Sequence, residues 1–323
     1  MLAKEVIRRV REIQVRTGRQ VADVLAGQYV SVFKGRGIEF DEVRPYVPGD
    51  EIRSIDWNVT ARMGEPFVKR YIEERQLTLM LMADISSSQD FGSGRRSKRE
   101  AAAELCALLA FSATRNDDKV GLTLFHGGIE HYIPARKGQK HALRVVREVL
   151  THDSRIAGAA PTALFQRGWL PKRIAQRWRH VAGNPRQATD IAGAVEFLLT
   201  VSKRQSVCFV VSDFFDEGYL RSLQMAARKH DVIAVLITDP RELELPPVGL
   251  LTFRDAESGH ALVRDTRSAS FRQQYAAAAQ QRIEELELAF RRAKIDFIHI
   301  DASGSIVDPL ARFFRMRQHR RYR

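Results

Sequence analysis

The stretch LTLMLMADISSS, Leu77 to Ser88, constrains the fold more than any other. Leu77 to Met82 are apolar or β-branched, long enough for one buried strand and shorter than a typical helix. Behind them Asp84, Ser86 and Ser88 fall at alternate positions. A buried strand ending in a carboxylate and two hydroxyls presents hard oxygen ligands at its C-terminal edge, where open α/β sheets bind ligands. Such oxygens suit Mg²⁺ or Mn²⁺, whereas thiolates or clustered imidazoles would suit softer metals. The same pattern also describes a strand end capped by small polar residues before a helix, and D-x-S-x-S alone leaves both readings open.

Two later segments bear on that choice. Residues 206–213, SVCFVVSD, read as a second apolar strand ending in a carboxylate, Asp213. Thr189 and Asp190 head a helical pattern in which Ile191, Val195, Leu198 and Leu199 fall at helical spacing. Asp84, Ser86, Ser88, a loop Thr and a strand-end Asp, in that order, resemble the metal-ion-dependent adhesion site of von Willebrand factor A domains. The resemblance implies that Ser86 and Ser88 bind the metal directly and Thr189 directly or through water. Asp84 and Asp213 would act mainly through water or hydrogen bonds. Asp190 serves as well as Thr189 as a helix N-cap, so the role of that position stays open.

At 323 residues the chain can bury one large core and a smaller accessory region. No run of 18 apolar residues occurs, so no transmembrane helix is expected. The N-terminus, charged every few residues, lacks the apolar core of a signal peptide, which points to a cytoplasmic protein. Cys106 and Cys208 lie in apolar stretches and read as small core residues. The net charge of +13 is localised. Residues 154–187 hold seven basic residues and no acid, the tail from Pro309 holds six and no acid, and together they make up the whole excess. Such segments are solvated faces or contacts for an acidic partner.

In chain order, residues 2–25 have apolar positions Leu2, Val6, Val10, Ile13, Val21 and Leu25, the pattern of an amphipathic helix or helix pair with a basic outer face. Residues 31–76 alternate short apolar runs with Pro-Gly and Gly-rich turns, as expected of a small β-rich subdomain. The block Gly35, Arg36, Gly37, Glu39, Phe40, then Arg44, Tyr46, Pro48, Gly49, Asp50, Arg53, Ile55, Asp56, Trp57 closely resembles the signature of the bacterial family catalogued as domain of unknown function 58. Arg44, Asp50, Arg53 and Asp56 read as a charge-paired cluster around a buried Trp57, with a partner-docking surface as the competing reading.

After Ser88, Ser97 to Glu100 fit a capping box, and no phosphate-binding G-x-x-x-x-G-K-[ST] occurs. Val120 to Phe125 and Glu130 to Pro134 read as a hairpin flanked by His126 and His131, which read as surface polar residues. The insertion 154–187 exceeds the family pattern and carries Ile174, Trp178 and Val181 at helical spacing among Lys172, Arg173, Arg177 and Arg179. From Ser206 strands and helices alternate. The expected architecture is therefore α/β: a doubly wound, mostly parallel Rossmann-like von Willebrand A sheet with helices on both faces. It divides into an N-terminal helix and β-rich subdomain (1–76), the sheet domain (77–308) and a basic tail (309–323).

The resemblance implies a non-catalytic, metal-dependent interaction module that acts with a MoxR-type AAA+ ATPase in assembling or activating an unidentified client, in chaperone-like fashion. A partner's acidic side chain would complete the shell of Mg²⁺ or Mn²⁺ at Asp84, Ser86, Ser88, Thr189 and Asp213. Arg173, Arg177 and Arg179 are candidates to meet that acidic partner. Two alternatives remain: nucleic-acid binding through the insertion and tail, and a metal-dependent hydrolase. The second lacks a D-x-D or G-x-S-x-G nucleophile motif, and no His adjoins Asp84 or Asp213.

Overall fold

The computed structural model describes residues 29, 32–33, 39–72, 76–151, 189–254 and 261–321. The helical pattern of 2–25, the Gly35–Gly37 part of the signature, and the whole insertion with Arg173, Arg177 and Arg179 lie outside the described residues.

The apolar runs form the middle of a six-stranded sheet. Its strands are β3 (Thr78–Asp84), β4 (Lys119–Phe125), β5 (Ile129–Arg136), β6 (Val207–Ser212), β7 (Asp231–Thr238) and β10 (Asp296–Asp301). They lie in the order β10-β7-β6-β3-β4-β5. All pair in parallel except the edge strand β5, which returns antiparallel along β4. Strands buried on both faces need apolar side chains at every position, which is why β3 and β6 read as unbroken apolar runs.

Successive side chains of each strand enter different cores. Leu79, Leu81 and Ala83 of β3 join Phe209 of β6 and the helices α2 (Lys98–Arg115), α3 (Gln139–Thr151) and α8 (Val307–Arg321). Met80, Met82 and Cys208 face α4 (Ile191–Val201), α5 (Leu220–Ala227) and α7 (Ala269–Arg292) on the other side. Helices therefore cover both faces of a mostly parallel sheet. Cys106 and Cys208 are free and buried, and burial pushes the Cys106 thiol up to about 12. Among the described residues no helix is long and apolar enough to cross a membrane.

From β3 the chain moves outward to β4 and β5, then returns to place β6 on the opposite side of β3. The strand order reverses between β3 and β6, and the C-terminal ends of those two strands mark the position at which open α/β sheets form a ligand crevice.

Strands β1 (Glu39–Pro45) and β2 (Phe67–Ile72) form a separate antiparallel pair, joined by the short helix α1 (Trp57–Met63). Arg44 holds Asp50 with two hydrogen bonds of 2.8 and 2.7 Å. Asp56 caps α1 by accepting from the Asn58 N–H and pairs with Lys69 at 3.1 Å. The Arg44–Asp50 pair is present, but Asp56 takes Lys69 rather than Arg53 as its partner, and Trp57 is not the centre of a charge cluster. Trp57 is 66% exposed and α1 buries no side chain, because nothing among the described residues covers the indole.

The segment from 309 also differs from a solvated appendage. It continues α8, where Leu310, Phe313 and Phe314 are buried, while Arg317 bonds Asp231 at 2.7 Å and Asp296 at 3.0 Å. Tyr29 and Phe33 pack on Phe314 with ring centroids 6.3 and 5.6 Å apart. A second ribbon, β8 (Leu250–Arg254) with β9 (Ala261–Asp265), precedes α7. The tetrapeptide Pro240–Leu243 forms a further short helix, α6, begun by a reciprocal cap between Asp239 and Glu242.

Candidate functional site

The crevice between β3 and β6 collects oxygens. Asp84 is the last residue of β3 and is buried. Its Oδ1 accepts from the Ser86 N–H at 2.8 Å, and its Oδ2 accepts from the Ser212 hydroxyl at 2.7 Å. The first bond turns the chain sharply after the strand and brings the Ser86 and Ser88 hydroxyls within 2.9 Å of each other. Ser88 then donates to Asp213 Oδ2 at 2.7 Å, across 125 residues of sequence. Four of the five expected residues, Asp84, Ser86, Ser88 and Asp213, thus belong to one hydrogen-bonded cluster.

Thr189, the fifth, is buried just before Asp190, the N-cap of α4. The Asp190 N–H bonds the His126 carbonyl at the end of β4, and the Ile191 N–H bonds Asp216 in the loop after β6. Those two bonds hold Thr189 at the same sheet edge. The cap falls to Asp190, whose Oδ1 accepts from Gly193, where a Cβ would lie 2.2 Å from the carboxylate. His126 is buried rather than a surface residue, and burial holds its pKa below the usual histidine value, helped by the Arg99 charge.

Sequence reasoning passed over four contributors. Lys98, fully buried, donates to Asp213 Oδ2 at 3.0 Å and to Glu242 Oε1 at 2.6 Å. Burial pulls its pKa down, but the Asp213 and Glu242 charges outweigh that and raise it, so the side chain is an ammonium. Ser212 bridges Asp84 and the Phe214 N–H, and Arg282 donates to the Asp213 carbonyl while stacking 3.6 Å above the Phe215 ring. Only Glu242 had a legible signal, a D-P-x-E turn directly after an apolar strand. Lys98 reads as an ordinary helix start.

Phe214, next to Asp213, has φ of 54°, a conformation costly for a bulky residue. Strain of this kind, on the order of 1–3 kcal/mol, persists where surrounding contacts dictate it and clusters at functional sites. Here the Ser212 hydroxyl and Arg282 hold the turn that presents Asp213. Burial, and then the Asp213 charge, push the Asp84 carboxyl up to about 7.

The oxygens fit a small hard cation. Adjacent ligands in an octahedral Mg²⁺ shell, with bonds of about 2.0–2.1 Å, stand about 3 Å apart. The Ser86–Ser88 and Ser88–Asp213 separations are 2.9 and 2.7 Å. Among the described residues no three His, Cys, Asp or Glu side chains converge to hold a metal unaided, so an ion held here would need the hydroxyls as ligands.

Fold and crevice define an α/β protein with helices on both faces of a mostly parallel sheet and a hydroxyl–carboxylate cluster at the reversal of strand order. The chain belongs to the family described as protein of unknown function DUF58, whose model matches residues 42–285. It is 31% identical over 251 residues to the uncharacterised protein Rv1480 of Mycobacterium tuberculosis, covering 77% of this chain and 70% of that one. The uncharacterised protein YeaD of Bacillus subtilis is 27% identical over 107 residues, 33% of this chain and 25% of that one. Among solved structures, BatB of Bacteroides thetaiotaomicron aligns over 75% of this chain and 99% of its own at 16% identity, with a TM-score of 0.43. An aerotolerance-related membrane protein of Bacteroides fragilis aligns over 76% and 99% at the same identity and score. Likenesses that distant carry no argument here.

Proposed function

We propose that the protein is a non-catalytic, divalent-metal-dependent interaction module with a von Willebrand factor A-like sheet domain. The observation that carries this reading is the chain of oxygens Ser86–Ser88–Asp213, spaced at 2.9 and 2.7 Å where strand order reverses. Ser86, Ser88 and Thr189 would hold Mg²⁺ or Mn²⁺ through hydroxyls, with Asp84 and Asp213 supporting from behind. The ion would offer an electron-poor coordination position that an acidic side chain of a partner can fill. Asp84 orients the Ser86 backbone, Ser212 fixes Asp84, and Arg282 fixes the Asp213 backbone. The reading gives these groups the work of holding the ion and orienting its ligands, and assigns none of them a nucleophilic or general-base role. Resemblance to the family supplies the partner class, a MoxR-type AAA+ ATPase in the bacterial cytoplasm, with an unidentified protein as client.

The test uses Asp84→Asn, which keeps the side chain's shape and removes its charge. Mn²⁺ titration followed by electron paramagnetic resonance should show binding to the parent and none to the variant, with unchanged circular dichroism. Retention of the cognate ATPase on immobilised protein should likewise require Mg²⁺ and fail with the variant. Equal Mn²⁺ titrations for the two proteins would sink the reading.

A further inference from the structure

The cluster contains a cation of its own. Lys98 has no exposed surface, and its ammonium lies between Asp213 Oδ2 at 3.0 Å and Glu242 Oε1 at 2.6 Å. Nothing about its helix favours it there. Lys98 is the first residue of α2, where the helix dipole repels positive charge. Burying an ammonium is costly unless carboxylates surround it.

Its partners are fixed as firmly as the lysine. Glu242 uses its other oxygen to accept from the Asp239 N–H at 2.9 Å, so the carboxylate spans from the α6 cap to Lys98. Asp239 in turn accepts from the N–H of Ser93 at 2.7 Å, tying this turn to the loop that leads into α2. Asp213 Oδ2 is the shared atom: it receives both the Ser88 hydroxyl, at 2.7 Å, and the Lys98 ammonium. A divalent ion held by the Ser86 and Ser88 hydroxyls would face that ammonium across one oxygen. Both compete for the same negative charge.

We propose that Lys98 is a built-in counter-cation that stabilises Asp213 and Glu242 in the metal-free protein and thereby holds the affinity of the adjoining oxygens for a divalent ion low. The proposal rests on the metal reading given above. It accounts for how two neighbouring carboxylates, Asp213 and Glu242, are neutralised by internal bonds. It also makes occupancy responsive to a partner's carboxylate, since Lys98 leaves the ion too little protein charge to bind tightly by itself.

The test compares Mn²⁺ affinity and melting temperature, with EDTA or with Mn²⁺, in the full-length parent, Lys98→Met, and the charge-balanced Lys98→Met/Glu242→Gln. With the ammonium gone, Lys98→Met should bind Mn²⁺ about tenfold or more tightly, a size set by removing one like charge at short range, and the double variant, which also loses the more distant Glu242 charge, should show a smaller gain of the same sign. Lys98→Met should melt lower than the parent in EDTA and recover more on adding Mn²⁺ than the parent gains. If Lys98→Met does not fold, the double variant, which leaves no uncompensated Glu242, decides. Unchanged or weaker Mn²⁺ affinity in the double variant overturns the proposal. If the parent binds and Asp84→Asn does not, that failure leaves the metal reading standing. Absence of Mn²⁺ binding in the parent overturns both.

Discussion

Ser212 donates its hydroxyl to Asp84 Oδ2 and accepts with the same oxygen from the Phe214 N–H, both in the buried crevice. Ser212→Ala strands an acceptor and a donor at once, and each unsatisfied buried group costs about 1–3 kcal/mol. Urea denaturation should therefore show a lower midpoint with an unchanged slope, and a midpoint equal to the parent's would refute the bridging role. His230, at the opposite end of the sheet, gives a pH signal. Its Nδ1 faces the Ser206 N–H at 3.3 Å and the Ser206 hydroxyl at 2.9 Å, so the ring accepts there and must be neutral. Burial, and then the Lys229 charge, lower its pKa from 6.5. For a histidine with a depressed folded pKa, the stabilisation is complete above the unfolded value and is lost as pH falls through the folded one. His230→Gln should thus melt below the parent at pH 8, and the gap should shrink toward pH 5. A gap constant with pH would contradict this assignment.

Among the elements, α8 and α1 make opposite uses of their aromatic residues. Phe314 has no exposed surface and meets Phe33 edge-on at 5.6 Å, so Phe314→Ala should cost about 3–5 kcal/mol. Trp57, 66% exposed on α1, should change stability by no more than about 0.5 kcal/mol when replaced by Ala. Paired melting curves check both, and a large loss for Trp57→Ala would place the indole in a core. The contrast marks what the sequence can disclose. Leu77–Met82 and 206–212 show as buried strands because both faces of each demand apolar side chains, and Asp84 and Asp213 are visible as the polar residues that end those runs. Lys98 and Trp57 mislead for one reason: burial of a helix-start residue depends on what the rest of the chain brings over it. Glu242 arrives above Lys98 from 144 residues away, whereas nothing among the described residues covers Trp57. In the arginine-rich end Phe313 and Phe314 are legible as anchors of the last helix, whereas the acids that Arg317 meets, Asp231 and Asp296, come from the separate strands β7 and β10.

For the whole molecule, the proposed partner contact should be electrostatically steered. In sequence, Arg173, Arg177 and Arg179 belong to the insertion that ends at Gln187, two residues before Thr189. Neutralising all three to Gln should slow association with an acidic partner at low salt, and the difference should fade as ionic strength passes about 0.15 M. Stopped-flow association rates that match the parent's at low salt would leave the insertion without a steering role. The bond from Ser88 to Asp213 spans 125 residues, and it has a consequence in time rather than in space. On a ribosome adding about 5–20 residues per second, β3 emerges several seconds before β6 exists to pair with it. Until then one side of a fully apolar strand has no neighbour, and half of the oxygen cluster is without its counterpart. Asp84, Ser86 and Ser88 can be joined to Asp213 only after that wait is over, so a protein able to hold an ion at this crevice is one whose sheet has already closed.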